Sequence, residues 1–148
     1  MYDSIIEPLG MTETHTLGNN MEQMPDAASP YTNSFSNNLQ LLNYDNVDNL
    51  APAGAIVSSV HDISKWLLMQ LDSGSLNGKQ IIPWPAIRRT RDMNTIISSR
   101  KNPFLPIHFY GYGLGVFMSD YGGMQTFEHT GGADGFVTYT CFVPEENL

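Results

Sequence analysis

The chain has 148 residues, long enough for one domain with a real core. Its 41% hydrophobic and 15% charged content suits a globular protein rather than a disordered one. A formal net charge of −8 with only seven Lys and Arg argues against a nucleic-acid partner, because phosphate contacts need clustered cations.

The densest basic group, Arg88-Arg89 with Arg91, reads as a solvated helix face. Cys141 is the only cysteine, so no internal disulfide forms. It lies in an apolar, strand-like run and is expected to be a buried small hydrophobe. No Cys/His spacing resembles a zinc site, and neither a metal nor an organic cofactor is implied. No apolar run approaches the roughly 18–20 residues of a membrane span. No secretory signal is legible in the first residues.

In chain order, Tyr2, Ile5, Ile6 and Leu9 are spaced like the apolar face of a helix that stops at Pro8. A helix beginning uncapped at the first residue looks like the tail of a longer one. The C-terminus ends at Pro144–Leu148, where a turn should lead to another pairing strand. A fragment is therefore expected. Residues 12 to about 50 are polar and Asn-rich (Asn19, Asn20, Asn33, Asn37, Asn38, Asn43, Asn46, Asn49) with weak periodicity. They read as a long surface excursion, either a variable insertion or a substrate-proximal lid.

From Leu50 the pattern sharpens. Pro52-Ala-Gly54 is a turn. Ser59 with Asp62 resembles a capping box, and Val60, Ile63, Trp66, Leu67, Gln70 and Leu71 then follow helical spacing. His61, Ser64, Lys65 and Asp72 fall on the opposite face. The helix is predicted over about 60–73, with Gly74 as its stop. Asn77-Gly78 is a turn. Pro83-Trp84-Pro85 opens a second predicted helix, with Ile87 to about Ile97 as its body. Residues 98–108 read as loop.

Phe109–Met118 is predicted as one strand, with Tyr110, Tyr112, Leu114, Val116 and Met118 on one face and Gly111, Gly113 and Gly115 on the other. Such a glycine stripe lets another backbone approach closely. It lacks the G-x-G-x-x-G spacing of a phosphate loop. Asp120–Gly123 is a hairpin turn. Met124–His129 and Phe136–Val143 are two further strands, and short connections favour an antiparallel meander.

Among the four histidines, His15, His61 and His108 read as exposed or structural. His129 ends a strand, follows Glu128 and precedes Thr130-Gly131-Gly132. Alternation along the strand points Glu128 away from His129. The stretch is either a site that grips a carbonyl or carboxylate, or a strand end turned by glycines. No serine is assigned as a nucleophile: Gly-x-Ser-x-Gly is absent, and Ser64 and Lys65 are adjacent rather than spaced as Ser-x-x-Lys.

An ordered set of motifs runs over nearly the whole chain. It comprises Glu7-Pro-Leu-Gly-Met11, Pro52-Ala-Gly54, Ser58-Ser59-Val-His-Asp62-Ile-Ser-Lys-Trp-Leu67, Tyr112-Gly-Leu-Gly115, and His129-Thr-Gly-Gly132 with Gly135-Phe136. Together they resemble the serine β-lactamase-like family. That family includes class C β-lactamases, penicillin-binding D-Ala-D-Ala carboxypeptidases, D-aminopeptidases and esterases. The resemblance implies an α+β fold, with an antiparallel sheet flanked by helices and packed on a helical subdomain. Residues 1–148 would be part of that domain, with 1–50 a helix end plus the polar excursion and 51–148 the helix and central strands.

In the family, a Ser-x-x-Lys, a Tyr-x-Asn and a Lys-Thr-Gly or His-x-Gly meet at one site. His129-Thr130-Gly131 matches the third. The other two normally precede the Pro-Leu-Gly-Met segment. Tyr31-Thr32-Asn33 matches Tyr-x-Asn as a string but lies after that segment, so it reads as a decoy. The resemblance implies an acyl-enzyme mechanism on a small-molecule or peptide substrate. It gives His129 a role in orienting or polarising the substrate, Thr130 a hydroxyl for its carbonyl or carboxylate, and Gly132 a backbone N–H in the oxyanion hole. Gly131 keeps the strand edge open to substrate. The competing expectation is a non-catalytic binder or sensor on the same scaffold. The family is commonly exported, so a periplasmic or extracellular location is expected.

Overall fold

The computed structural model describes residues 1–16, 21–34 and 36–148. Asn19 and Asn20 of the polar excursion lie outside the described residues. The chain forms two compact units, residues 13–59 with 130–138, and residues 1–12 with 60–129 and 139–148.

The first of these holds the excursion, which is built from short local elements as expected. Strand β1 (Tyr31–Thr32) pairs antiparallel with β2 (Gln40–Leu41), and the Leu42 N–H donates to the Pro30 carbonyl at 2.9 Å. His15 and Val57 exchange backbone hydrogen bonds of 2.8 and 3.0 Å. The predicted turn at Pro52–Gly54 is the single helical turn α1 (Ala51–Gly54). Gly135, between the last two strands of the chain, has φ +82°, and an added Cβ would lie 2.5 Å from Pro30 Cβ. Tyr44 stacks on Phe136 with ring centroids 6.2 Å apart.

The other unit opens with a 3-10 turn at Tyr2–Ser4 followed by irregular turns, not an α-helix. Its apolar side chains are still used: Ile6 and Leu9 are buried. Helix α2 (Val60–Leu71) forms where predicted, and Ile63, Trp66, Leu67, Gln70 and Leu71 of its expected face pack inward, with Val60 as the exception. Val60 is 87% exposed, whereas Met69 and Asp62 are both 0% exposed. Asp62 is tolerated inside because Lys65, one turn on, reaches its carboxylate at 2.9 Å. The Lys65 ammonium also donates to the Gly10 carbonyl, which ties the opening segment to α2. One core cluster follows: Ile6, Leu9, Met11, Met69 and Ile87.

Gly74 takes φ +92° and its N–H caps the Met69 carbonyl at 2.8 Å, the predicted stop. Strands β3 (Ser75–Leu76) and β4 (Lys79–Gln80) then form a hairpin around Asn77-Gly78, both in the left-handed region. Helix α3 (Trp84–Thr90) is shorter than predicted. The Thr90 carbonyl accepts from the Leu114 N–H at 2.9 Å, and Thr95–Ser98 is strand β5 instead of helix. Its β-branched residues Thr95, Ile96 and Ile97 suit a strand.

The predicted single strand over 109–118 is two strands: β6 (Tyr110–Tyr112) and β7 (Phe117–Tyr121). The chain reverses between them, with the Gly113 N–H donating to the Val116 carbonyl at 2.9 Å and Gly115 at φ +88°. Tyr112 and Phe117 consequently sit opposite each other. The close approach expected at the glycines is real. A Cβ on Gly113 would lie 2.1 Å from the Thr90 carbonyl oxygen, and one on Gly111 2.5 Å from the Met93 side chain.

Strand β8 (Met124–Ala133) follows a turn at Gly122-Gly123, and β9 (Phe136–Phe142) returns after Asp134-Gly135. The sheet is a five-stranded meander in the order β5-β6-β7-β8-β9. The α+β class with an antiparallel sheet is therefore as expected. A second core cluster, Val116, Met118, Phe127 and Phe142, packs with Leu67 and Leu71 of α2.

Two side chains depart from their predicted settings. Cys141 is only half-buried. Arg91 is not solvated: its guanidinium lies 5.4 Å from the Trp84 ring, 5.1 Å from Phe127 and 5.0 Å from Phe142. It also donates to the Gln70 carbonyl. Burial lowers its pKa from the ordinary arginine value.

The loop from 99 to 109 is held by Asp120. Its carboxylate accepts from the Phe109 N–H at 2.8 Å, the His108 N–H at 2.7 Å, and pairs with His108 Nδ1 at 3.0 Å. Those backbone donors hold its pKa at about 2. His108 is thus structural, as expected.

Gly113→Ala forces a methyl group against the Thr90 carbonyl and is expected to destabilise the protein by about 1–3 kcal/mol. Urea unfolding measures this; an unchanged midpoint would contradict the close approach.

Candidate functional site

His129, Thr130, Gly131 and Gly132 are consecutive on β8, so the predicted strand ending at His129 continues four residues further, to Ala133. Thr130, Gly131 and Gly132 are exposed; His129 and Glu128 are half-buried. Gly131 and Gly132 are not made necessary by left-handed backbone. Gly131 is demanded by packing, since an added Cβ would lie 2.5 Å from the Thr138 hydroxyl. Gly132 is different. Among the described residues nothing lies within 4 Å of where its Cβ would be, so the fold itself sets no need for glycine there.

His129 sits in an aromatic seat that the sequence reading missed. Its Nε2 lies 3.2 Å from the Tyr112 hydroxyl, and its ring lies 5.4 Å from Phe117 and 6.0 Å from Tyr112. Phe117 in turn meets Tyr112 edge-on at 4.6 Å and stacks on Tyr110 at 5.5 Å. The His129 carbonyl accepts from the Thr140 hydroxyl of β9 at 3.3 Å. The signal for Tyr112 was present in Tyr112-Gly-Leu-Gly115, but the single-strand reading gave no reason for it to meet His129.

Glu128 faces two phenols. Tyr110 on β6 donates to one carboxylate oxygen at 3.3 Å, and Tyr139 on β9 donates to the other. Its carboxylate therefore bridges strands on both sides of β8. The hydrogen bond to Glu128, then burial, then Cys141, raise the Tyr139 pKa well above the ordinary phenol value. Burial, and then Glu128, raise that of Tyr110.

Three strings bear on a nucleophile and its partners. Ser98-Ser99-Arg100-Lys101 does have the Ser-x-x-Lys spacing, which the sequence reading passed over. It begins at the last residue of β5 and runs into the loop. On a helix that spacing stacks the lysine one turn above the serine; here it does not. The Ser98 hydroxyl instead exchanges hydrogen bonds with the Arg100 backbone, at 3.3 Å from its N–H and 3.5 Å from its carbonyl. Tyr31-Thr32-Asn33 forms part of the β1–β2 pair. Tyr44-Asp45-Asn46 is a second Tyr-x-Asn, also passed over, and its hydroxyl is engaged by the Ala28 carbonyl at 3.0 Å.

Ionising Tyr139 would remove its hydrogen bond to Glu128 and set a second negative charge beside the carboxylate. Glu128→Gln is therefore expected to lower the Tyr139 ionisation midpoint toward the ordinary tyrosine value of about 10. Site-resolved 13C NMR of the tyrosine rings during an alkaline titration reads it, and an unchanged or higher midpoint would contradict the contact.

No helix among the described residues is long and apolar enough to cross a membrane. No curated protein matches the chain significantly. The model of the family described as Beta-lactamase matches residues 1–148, the full stretch that carries the ordered motifs and the His129 strand. The chain belongs to the beta-lactamase family.

Proposed function

We propose that this chain supplies the substrate-lining strand of a serine hydrolase working through an acyl-enzyme. The supporting observation is that His129-Thr130-Gly131-Gly132 stands on an exposed strand, within a chain that matches the family throughout. The reaction is acyl transfer. A serine oxygen bonds to the substrate carbonyl carbon, the leaving group departs with a proton, and water then cleaves the ester.

Each residue has a role on this reading. Thr130 offers its hydroxyl to the substrate carbonyl or carboxylate. The Gly132 N–H donates to the developing oxyanion, an interaction whose loss typically costs about 3–4 kcal/mol of barrier reduction. Open space where its side chain would be supports this role, because glycine there leaves room for substrate backbone. Gly131 keeps the strand edge accessible. His129 orients or polarises the substrate.

Histidine stands at the first motif position, where the family also uses lysine, and an imidazole lacks lysine's fixed positive charge. Its weaker field favours substrates without an obligatory carboxylate. Esters, amides and D-amino-acid peptides are accordingly the substrate class we favour, ahead of β-lactams. The nucleophile lies outside these 148 residues on this reading, since Ser98 has its lysine three residues on without the helix that would bring the two together.

A fluorophosphonate probe tests the proposal. The 148-residue chain is expected to stay unlabelled, and the native enzyme carrying an upstream Ser-x-x-Lys to label stoichiometrically and to hydrolyse simple esters faster than penicillins. Labelling of the 148-residue chain at Ser98 would overturn the placement of the nucleophile. A native protein that neither labels nor turns over would favour a binder.

A further inference from the structure

We infer that Tyr112 is the positioning residue for His129, and that its hydroxyl fixes which ring nitrogen carries the proton. The inference rests on reading His129 as a site residue, but its evidence is separate: the 3.2 Å contact between the Tyr112 hydroxyl and His129 Nε2.

A phenol below its pKa has one proton to give, and its oxygen lone pair is partly drawn into the ring. An unprotonated imidazole nitrogen is the stronger acceptor of the two groups. The favoured arrangement has Tyr112 donating to Nε2. The proton of the neutral imidazole then resides on Nδ1. That tautomer is the opposite of the one free histidine prefers, so the Tyr112 contact weighs against the ring's own bias.

The seat holds this geometry from two strands. Tyr112 ends β6 and Phe117 begins β7, and the two are paired across the reversal at Gly113–Gly115. Phe117 packs against both rings, 4.6 Å from Tyr112 and 5.4 Å from His129. Rotation of either ring away from the other would break these contacts. The Thr140 hydroxyl on the His129 carbonyl fixes the backbone beneath.

The chemical consequence is specific. With Nε2 occupied as an acceptor, neutral His129 is a hydrogen-bond donor through Nδ1. Such a donor acts without a charge. A lysine in that place would supply a donor only together with a full positive charge.

The test is NMR of the protein labelled with 15N-histidine, at a pH above the imidazole titration, which reports the tautomer of His129 directly. The expected result is a majority Nδ1–H form in the unaltered protein. In Tyr112→Phe the ratio of Nδ1–H to Nε2–H should fall by roughly five- to tenfold, the weight of one neutral hydrogen bond. Tyr139→Phe, which alters a partner of Glu128, should leave that ratio unchanged. A majority Nε2–H form in the unaltered protein overturns the inference. So does an unmoved ratio in Tyr112→Phe, or an equal shift in Tyr139→Phe. Should Tyr112→Phe fail to fold, the tautomer of the unaltered protein decides alone. None of these readouts requires turnover. An Nδ1–H His129 in a native protein that never labels with fluorophosphonate would refute the hydrolase reading and leave the role of Tyr112 standing.

Discussion

The close approach of Gly113 to the Thr90 carbonyl is the constraint on which the arrangement around His129 depends. The Leu114 N–H takes that carbonyl at 2.9 Å, just where helix α3 gives way to the turn before β5. The same contact anchors the reversal that separates β6 from β7. Without the reversal, Tyr112 and Phe117 would lie along one strand. With it they face each other, and together they form the seat for the His129 ring. A glycine is required there because a side chain would meet a backbone oxygen, which cannot move aside as a flexible side chain could.

Charge burial supports the same unit by pairing. Asp62 is fully buried on α2 but shares Lys65, which also reaches the Gly10 carbonyl. Arg91 lies among Trp84, Phe127 and Phe142 and hydrogen-bonds to Gln70. Removing one member of such a set leaves the other buried without its partner, which costs more than the pair contributes. Glu128 plays a related part in the sheet. Its two oxygens are divided between Tyr110 on β6 and Tyr139 on β9, so the strand just before the His129 motif is held from both sides.

Much of this was legible in the residues. Helix α2, the stop at Gly74, the Asn77-Gly78 turn and the hairpin at Gly122-Gly123 all carry local chemistry strong enough to act alone. What failed was non-local. On α2 only Val60 leaves the expected face, while Asp62, read as part of an N-terminal cap, is buried with Lys65 as a partner. Helix α3 was drawn too long because Met93 to Ile97 carries no breaker, and it is the pairing of β5 with β6 that ends it. Tyr110–Met118 alternates well enough to mimic one strand, while its glycines actually serve a turn and two close approaches. Arg91 was placed in water because the aromatic rings around it come from α3, β8 and β9. For the candidate site, the sequence order identified the stretch from His129 to Gly132, but Tyr112 and Phe117 were visible only as pattern. The Ser98–Lys101 string was overlooked, and its strand-end setting removes the geometry that makes such a string catalytic.

The central claim is that β8 presents Gly132 and His129 to an acyl group undergoing transfer. Under the proposed function, the most direct measurement is a crystal structure of the native protein trapped with a boronic acid on the nucleophilic serine that reading requires. The account predicts a tetrahedral adduct with one oxygen accepting from the Gly132 N–H at about 3 Å, the distance of an oxyanion-hole donor. An adduct whose oxygens are all stabilised elsewhere, with the Gly132 N–H turned to solvent, would contradict it.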